Sequence, residues 1–111
     1  MELLYLPGVR AELSELPPAE RKAMINALDK LSMLGADPGY PHTSQVKGTT
    51  LRELRPRAGR SPWRAFYQRH RDVVLIAAIG PEAHHDPRRF GHTIATARDR
   101  LEQFETGRCL R

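Results

Sequence analysis

The sequence has a single cysteine and lacks any long run of apolar residues. Cys109 has no second cysteine to pair with inside the chain, so nothing indicates an oxidising compartment. The longest apolar run, residues 73–79, is far shorter than the roughly 20 residues that a membrane span requires. Residues 1–6 carry no basic segment or long apolar stretch typical of a signal peptide. We therefore expect a cytoplasmic protein that is neither secreted nor embedded in a membrane.

Motifs for metal, nucleotide and nucleophile chemistry are also missing. The chain has no cysteine pair, no His-Glu-x-x-His, no Gly-rich phosphate loop and no Gly-x-Ser-x-Gly. His84, His85 and Asp86 are adjacent potential ligands, but consecutive residues seldom converge on one ion. Asp86 is also well placed to begin a helix. We predict neither a metal nor a cofactor.

The balance of residue types is that of a folded, basic domain. Of the 111 residues, 40% are hydrophobic and 28% are charged, which is typical of a globular protein rather than a disordered chain. This length predicts one domain over residues 1–111, with residues 106–111 as a flexible tail. Eighteen Lys and Arg against thirteen Asp and Glu give a net charge of +5. That charge favours a polyanionic partner and leaves nucleic acid, an anionic membrane and an acidic protein open.

Apolar spacings of three and four predict helices, and β-branched or alternating stretches predict strands. We predict a strand at 2–6, helices at 9–16 and 20–34, a long connection at 35–50, strands at 51–55, 63–69 and 73–79, and a helix from Pro87 to Phe104 that Gly107 ends. The run at 73–79 is typical of a strand covered on both faces. The order predicts an α+β fold, in which helices pack on one face of a twisted antiparallel sheet and leave the other face free.

Arginines are concentrated in the two predicted strands before residue 73 and in their turns. They are Arg52, Arg55, Arg57, Arg60, Arg64, Arg69 and Arg71, and Glu53 is the only carboxylate among them. Strand alternation allows Glu53, Arg55 and Arg64 to meet on the free face. Because a guanidinium donates two parallel hydrogen bonds to a phosphate, this face is a candidate RNA-binding surface. The alternative is a set of solvated arginines, one of which pairs with Glu53.

His84 and His85 lie between the last predicted strand and the start of the last helix. A histidine at such a junction can exchange a proton with a ribose hydroxyl or with a leaving oxygen. The alternative is a pair of loop histidines without a catalytic role.

Several blocks of the sequence resemble the phage-derived HigB-like branch of the RelE-type toxins of type II toxin–antitoxin systems. They are Val46-Lys47-Gly48, Leu51-Arg52-Glu53-Leu54-Arg55-Pro56, Trp63-Arg64-Ala65-Phe66-Tyr67 and the apolar run at 73–79. The similarity extends to the preceding helical region and to the last helix, and so covers most of the chain.

The resemblance implies a RelE-type fold and a ribosome-associated, metal-independent endoribonuclease that cleaves mRNA and inhibits translation. It also implies a cognate antitoxin, often a helix-turn-helix protein, as a partner beside mRNA and the ribosome. Lys47, Glu53, Arg55 and Arg64 match polar and basic positions on the active face of the family.

One departure affects the expected site. Many relatives carry a Phe-x-Lys-Lys block after the last strand of the meander, whereas this chain reads Ile79-Gly80-Pro81-Glu82-Ala83-His84-His85. Either His84 and His85 replace the lysines, or the protein is weakly active or inactive.

Two sets of residues follow from the residue patterns and the resemblance. Arg64, Arg55, Glu53, His84 and His85 are the predicted catalytic residues, and Lys47, Arg52, Arg57, Arg60 and Arg69 are the predicted RNA contacts. A gyrase-poisoning toxin of the ParE type and a non-catalytic basic phage protein that binds nucleic acid remain alternatives.

Overall fold

The predicted strands and helices are present in the predicted order, with one additional strand at Thr43–Gln45. The computed structural model describes residues 1–34, 43–56 and 61–109, without the side chains of residues 108 and 109. In these residues the elements are β1 (Glu2–Tyr5), α1 (Val9–Ser14), α2 (Pro18–Leu34), β2 (Thr43–Gln45), β3 (Arg52–Leu54), β4 (Trp63–His70), β5 (Val73–Pro81) and α3 (Pro87–Cys109). Residues 35–42 of the predicted connection lie outside the described part of the chain.

Five strands within the described residues form one sheet in the order β1-β5-β4-β3-β2. β3, β4 and β5 pair antiparallel with one another in chain order, as predicted for the three strands in the middle of the chain. β2 lies inside the predicted connection and pairs antiparallel with β3. The sequence does not indicate β2, because the three residues of this strand are polar and show no apolar alternation. β1 pairs parallel with β5, so the sheet is mixed at this edge rather than antiparallel throughout. The direction of a strand depends on contacts with distant segments, which a local pattern does not report.

β5 lies at the centre of the fold and is covered on both sides. Its residues from Val74 to Pro81 are all buried, although successive side chains of a strand point to opposite faces. On one side α3 packs against the sheet, where the rings of Phe66 and Phe90 meet edge to face at 5.8 Å between centroids. Gly80 is part of this contact, because a Cβ there would collide with the Thr93 side chain of α3. The prediction that this strand is covered on both faces is confirmed.

An ion pair closes the part of the β5 edge that β1 does not reach. β1 pairs only with the first four residues of β5, 73–76. Beyond them, Glu12 Oε1 accepts a hydrogen bond from the Ile79 N–H over 3.0 Å, and Arg100 Nη1 donates to the Ala77 carbonyl over 3.0 Å. Arg100 also donates to both carboxylate oxygens of Glu12, at 3.0 and 2.8 Å. The pair therefore ties α1 and α3 to the edge of β5.

Gly8 allows Arg100 to reach this position. Its φ of 98° lies in the left-handed region, and a Cβ there would collide with the Arg100 guanidinium. Glycine is therefore required at this turn both for its backbone conformation and for the close approach of the arginine.

α3 starts as predicted but ends later. The Arg89 N–H donates to Asp86 Oδ1 over 3.1 Å, and Pro87 occupies the first helical position. The helix then continues through Gly107 to Cys109 rather than ending at Gly107. A glycine inside a helix lowers the stability of the helix by about 1 kcal/mol relative to alanine. A glycine favours the end of a helix when its own backbone is left-handed, and Gly107 does not have a positive φ.

None of the helices in the described residues has an apolar stretch long enough to cross a membrane.

Replacing Arg100 with alanine should destabilise the fold. The Arg100→Ala variant leaves the Glu12 carboxylate without its cation and the Ala77 carbonyl without this donor, in a region where the arginine side chain is only 18% exposed. We expect its free energy of unfolding in urea to fall by about 2 kcal/mol. The control is Arg98→Ala, an exposed arginine of the same helix, which should change this free energy by no more than about 0.5 kcal/mol. Equal losses in the two variants would contradict a role of the pair in holding the edge.

Candidate nucleic-acid interface

A groove opens where the β2–β3 hairpin faces the segment after β5 and the start of α3. Its volume is about 290 Å³. Its lining residues are Gln45, Val46, Lys47, Glu53, Glu82, Ala83, His84 and Phe90. Lys47, Glu53 and His84 are functional residues predicted from the sequence, and the fold brings these three together.

Lys47 is carried by the tight turn between β2 and β3. The Val46 N–H donates to the Leu51 carbonyl over 3.0 Å, and the Thr49 N–H donates to the Val46 carbonyl over 3.2 Å. Gly48 has a φ of 76°, a left-handed conformation that glycine adopts without strain. Lys47 is exposed, so its flexible ammonium group can contact a phosphate at the groove.

Glu53 enters the groove from the middle of β3. It lies opposite Ser44 in β2 and opposite Phe66 in β4. The Ser44 hydroxyl donates to Glu53 Oε1 over 3.2 Å, and the glutamate is half-buried. One oxygen of this carboxylate is therefore held by a neutral donor.

Arg64 does not lie on a free face, contrary to the prediction. Strand alternation does place Arg64 on the same side of the sheet as Glu53. The β5 residue opposite Arg64 is Gly80, however, and Gly80 packs against Thr93 of α3. The arginine side chain is only 7% exposed. Nη1 donates to the Ser61 carbonyl over 2.6 Å and to the Trp63 carbonyl over 2.9 Å, while Nη2 donates to Glu82 Oε2 over 2.7 Å. Its guanidinium is thus bonded to other groups of the protein.

Glu82 is the groove residue that sequence reasoning missed. Its N–H donates to the Pro62 carbonyl over 2.7 Å, and its carbonyl accepts from the Asp86 N–H over 3.2 Å. The side chain is 32% exposed and reaches both Arg64 and the groove. The only signal in the sequence is a carboxylate that directly follows a buried strand. Its pairing with Arg64 depends on strand register, which the sequence does not report.

The two neighbouring histidines are placed differently. Both rings are exposed, but His84 lines the groove and His85 lies outside its lining. The structure therefore brings one member of the predicted pair to the site.

The remaining predicted arginines do not gather in the groove. Arg52 points to the face opposite Glu53, where its Nη2 donates to Thr43 Oγ1 over 3.0 Å. Arg69 is exposed near the far end of β4, and its Nε donates to the Arg71 carbonyl over 3.0 Å. Arg55 is half-buried, and its Nε has no hydrogen-bond partner among the described residues. Arg57 and Arg60 lie outside the described residues.

The groove combines acids and bases rather than presenting a uniform positive charge. Lys47 supplies a cation, Glu53 and Glu82 supply carboxylates, and Arg64 balances the charge of Glu82. The His84 ring can both donate and accept a proton. Across the ranges 1–34, 43–56 and 61–107, no three His, Cys, Asp or Glu side chains are grouped so as to hold a metal ion. The arrangement suits proton transfer beside a bound phosphate.

Comparisons with known proteins agree with this fold. Residues 11–80 match the family described as phage-derived protein Gp49-like. The structure is similar to a chain of the archaeal RelE–RelB complex from Pyrococcus horikoshii OT3, with a TM-score of 0.56 and 19% identity over 72% of this chain and 92% of that chain. It is also similar to a chain of the RelBE2 toxin–antitoxin complex from Mycobacterium tuberculosis, with a TM-score of 0.53 and 20% identity over 73% of this chain and 96% of that chain. No curated protein matches the sequence.

The contacts of Arg64 predict a large loss of stability when it is removed. Arg64→Ala leaves two carbonyls and the Glu82 carboxylate without their donor, and we expect the free energy of unfolding to fall by about 3 kcal/mol. The matched control is Arg69→Ala, an exposed arginine of the same strand, which should change it by no more than about 0.5 kcal/mol. Urea denaturation measures both. An Arg64→Ala protein as stable as the control would show that these bonds do not support the fold.

Proposed function

Since the chain belongs to the phage-derived Gp49-like family and has the RelE fold, we propose that it is the toxin of a type II toxin–antitoxin system. In this proposal it is a ribosome-associated endoribonuclease that needs no metal, acts in the cytoplasm, cleaves mRNA and so inhibits translation. The observation that carries the proposal is the meeting of Lys47, Glu53 and His84 in one groove. Lys47 and Glu53 come from the β2–β3 hairpin and His84 from the segment after β5, and together they supply a cation and two kinds of proton-transfer group.

The proposed reaction is attack of a ribose 2′-oxygen on the adjacent phosphorus. The 2′-O–P bond forms, the P–O5′ bond breaks, and the products are a 2′,3′-cyclic phosphate and a free 5′-hydroxyl. A carboxylate of the groove accepts the 2′-hydroxyl proton, and His84 donates a proton to the leaving 5′-oxygen. Lys47 stabilises the charge that develops on the phosphoryl oxygens.

An antitoxin is the proposed protein partner. The two similar structures are complexes of RelE with RelB and of the RelBE2 toxin with its antitoxin. The net charge of +5 favours an acidic partner segment, which would neutralise this charge and compete with RNA. We propose a helix-turn-helix protein for this role.

Expression of the chain alone should slow growth and shorten the lifetime of cellular mRNA. Induction in a bacterial host, with message levels followed over time, tests this expectation. Co-expression with the protein encoded by the adjacent reading frame should restore growth. Growth arrest with intact mRNA and damaged DNA would instead support the gyrase-poisoning alternative, and unchanged growth with folded protein accumulating would contradict a toxin.

Binding of RNA should depend on salt through Lys47. Each phosphate that a side chain neutralises releases counterions, so Lys47→Ala should lower the slope of log K against log salt by about 0.7 to 1. Lys30→Ala is the control, because it removes the same charge from an exposed position of α2 outside the groove. Fluorescence anisotropy with a labelled single-stranded RNA measures both slopes. Identical slopes in wild type and Lys47→Ala would show that Lys47 does not contact phosphate.

A further inference from the structure

The Glu82 carboxylate is held more firmly than any other proton-acceptor group of the groove. Its Oε2 accepts a 2.7 Å hydrogen bond from Arg64, whose guanidinium is fixed by the carbonyls of Ser61 and Trp63. Its backbone is fixed on both sides, by the bonds to Pro62 and from Asp86. Among the described residues, Glu82 Oε1 has no hydrogen-bond partner, so this oxygen is available to a ligand in the groove.

Glu53 is held differently. Its Oε1 accepts from the neutral Ser44 hydroxyl over 3.2 Å, a longer bond than the charged 2.7 Å contact of Glu82. A general base must be kept close to its productive position by a supporting shell of bonds. Of the two groove carboxylates, Glu82 meets this requirement better.

We propose that Glu82 is the general base of the cleavage reaction and that Arg64 is its positioning residue. This inference rests on the proposed function. Glu82 Oε1 accepts the proton of the 2′-hydroxyl as the 2′-oxygen attacks phosphorus, and His84, two residues further along the same segment, protonates the leaving 5′-oxygen. One proton is taken up and one is given, so the step leaves Glu82 protonated and His84 deprotonated until they exchange protons with solvent. Arg64 acts through Glu82 and does not contact the phosphate.

The test is the pH dependence of cleavage of a defined message on ribosomes by wild type and Glu82→Gln. The amide of glutamine still accepts a hydrogen bond from Arg64 but cannot take up the 2′-hydroxyl proton. We expect its rate at saturating RNA to fall at least about 100-fold, within the range for a lost general base. The wild-type rate should decline toward low pH as the carboxylate is protonated, and Glu82→Gln should lack that decline. Glu105→Gln, an exposed glutamate far along α3, is the control and should behave as wild type.

The outcomes are distinguishable. Cleavage by Glu82→Gln within about threefold of wild type, or with the same decline toward low pH, overturns this inference and leaves the proposed function standing. Absence of cleavage by the wild type overturns the proposed function and this inference with it. If Glu82→Gln does not fold, Glu82→Asp serves instead, because it keeps a carboxylate on the same wall. It should cleave more slowly than wild type yet retain the decline toward low pH, and loss of that decline would contradict the assignment.

The positioning role of Arg64 has its own readout. Arg64→Lys keeps the positive charge but cannot bond to two carbonyls and a carboxylate with the same geometry. It should lower kcat without changing the salt dependence of RNA binding. Combined with Glu82→Gln it should add little further loss, because both changes disable the same group. Independent, additive losses, or a reduced salt slope in Arg64→Lys, would show that Arg64 acts on the RNA directly.

Discussion

The buried guanidinium of Arg64 is the group on which the candidate site depends. Its removal from water is offset by hydrogen bonds to the carbonyls of Ser61 and Trp63 and by the ion pair with Glu82. The Ser61 hydroxyl in turn donates to Glu20 of α2 over 2.7 Å. A single network therefore joins α2, the start of β4 and the segment after β5. Because that segment forms one wall of the groove, the position of its carboxylate is set by the core of the protein.

The coverage of β5 explains why the groove lies at one end of the sheet. The residues of β5 from Val74 to Pro81 are buried, α3 packs against the sheet, and the Glu12–Arg100 pair closes the outer edge of β5 beyond β1. Arg64 lies in β4, directly beside β5, and its guanidinium therefore forms its hydrogen bonds with other groups of the protein. β3 and β2 lie beyond β4 on the other side of the sheet from β1, and their turn presents Lys47 to solvent. The space between this hairpin and the start of α3 forms the groove that holds Lys47, Glu53 and His84.

The sequence predicts the parts of the fold that local patterns encode. The apolar run of β5, the amphipathic period of α2 and the Asp86-Pro87 helix start all correspond to observed elements. β2 and the parallel pairing of β1 depend on contacts between distant segments and carry no local pattern. The same limit applies to the site: Lys47, Glu53 and His84 are predictable from residue type and resemblance, whereas the burial of Arg64 and its pairing with Glu82 follow from strand register and the path of α3.

We propose that RNA occupies the groove between the β2–β3 hairpin and the start of α3. Backbone amide chemical shifts of isotope-labelled protein, titrated with a short 2′-O-methyl oligonucleotide that cannot be cleaved by attack of a 2′-hydroxyl, test this placement. We expect the largest shifts at Lys47, Glu53, Glu82 and His84, with little change around Arg69 at the far end of β4. Shifts concentrated around Arg69, or on the face of β3 that carries Arg52, would contradict it.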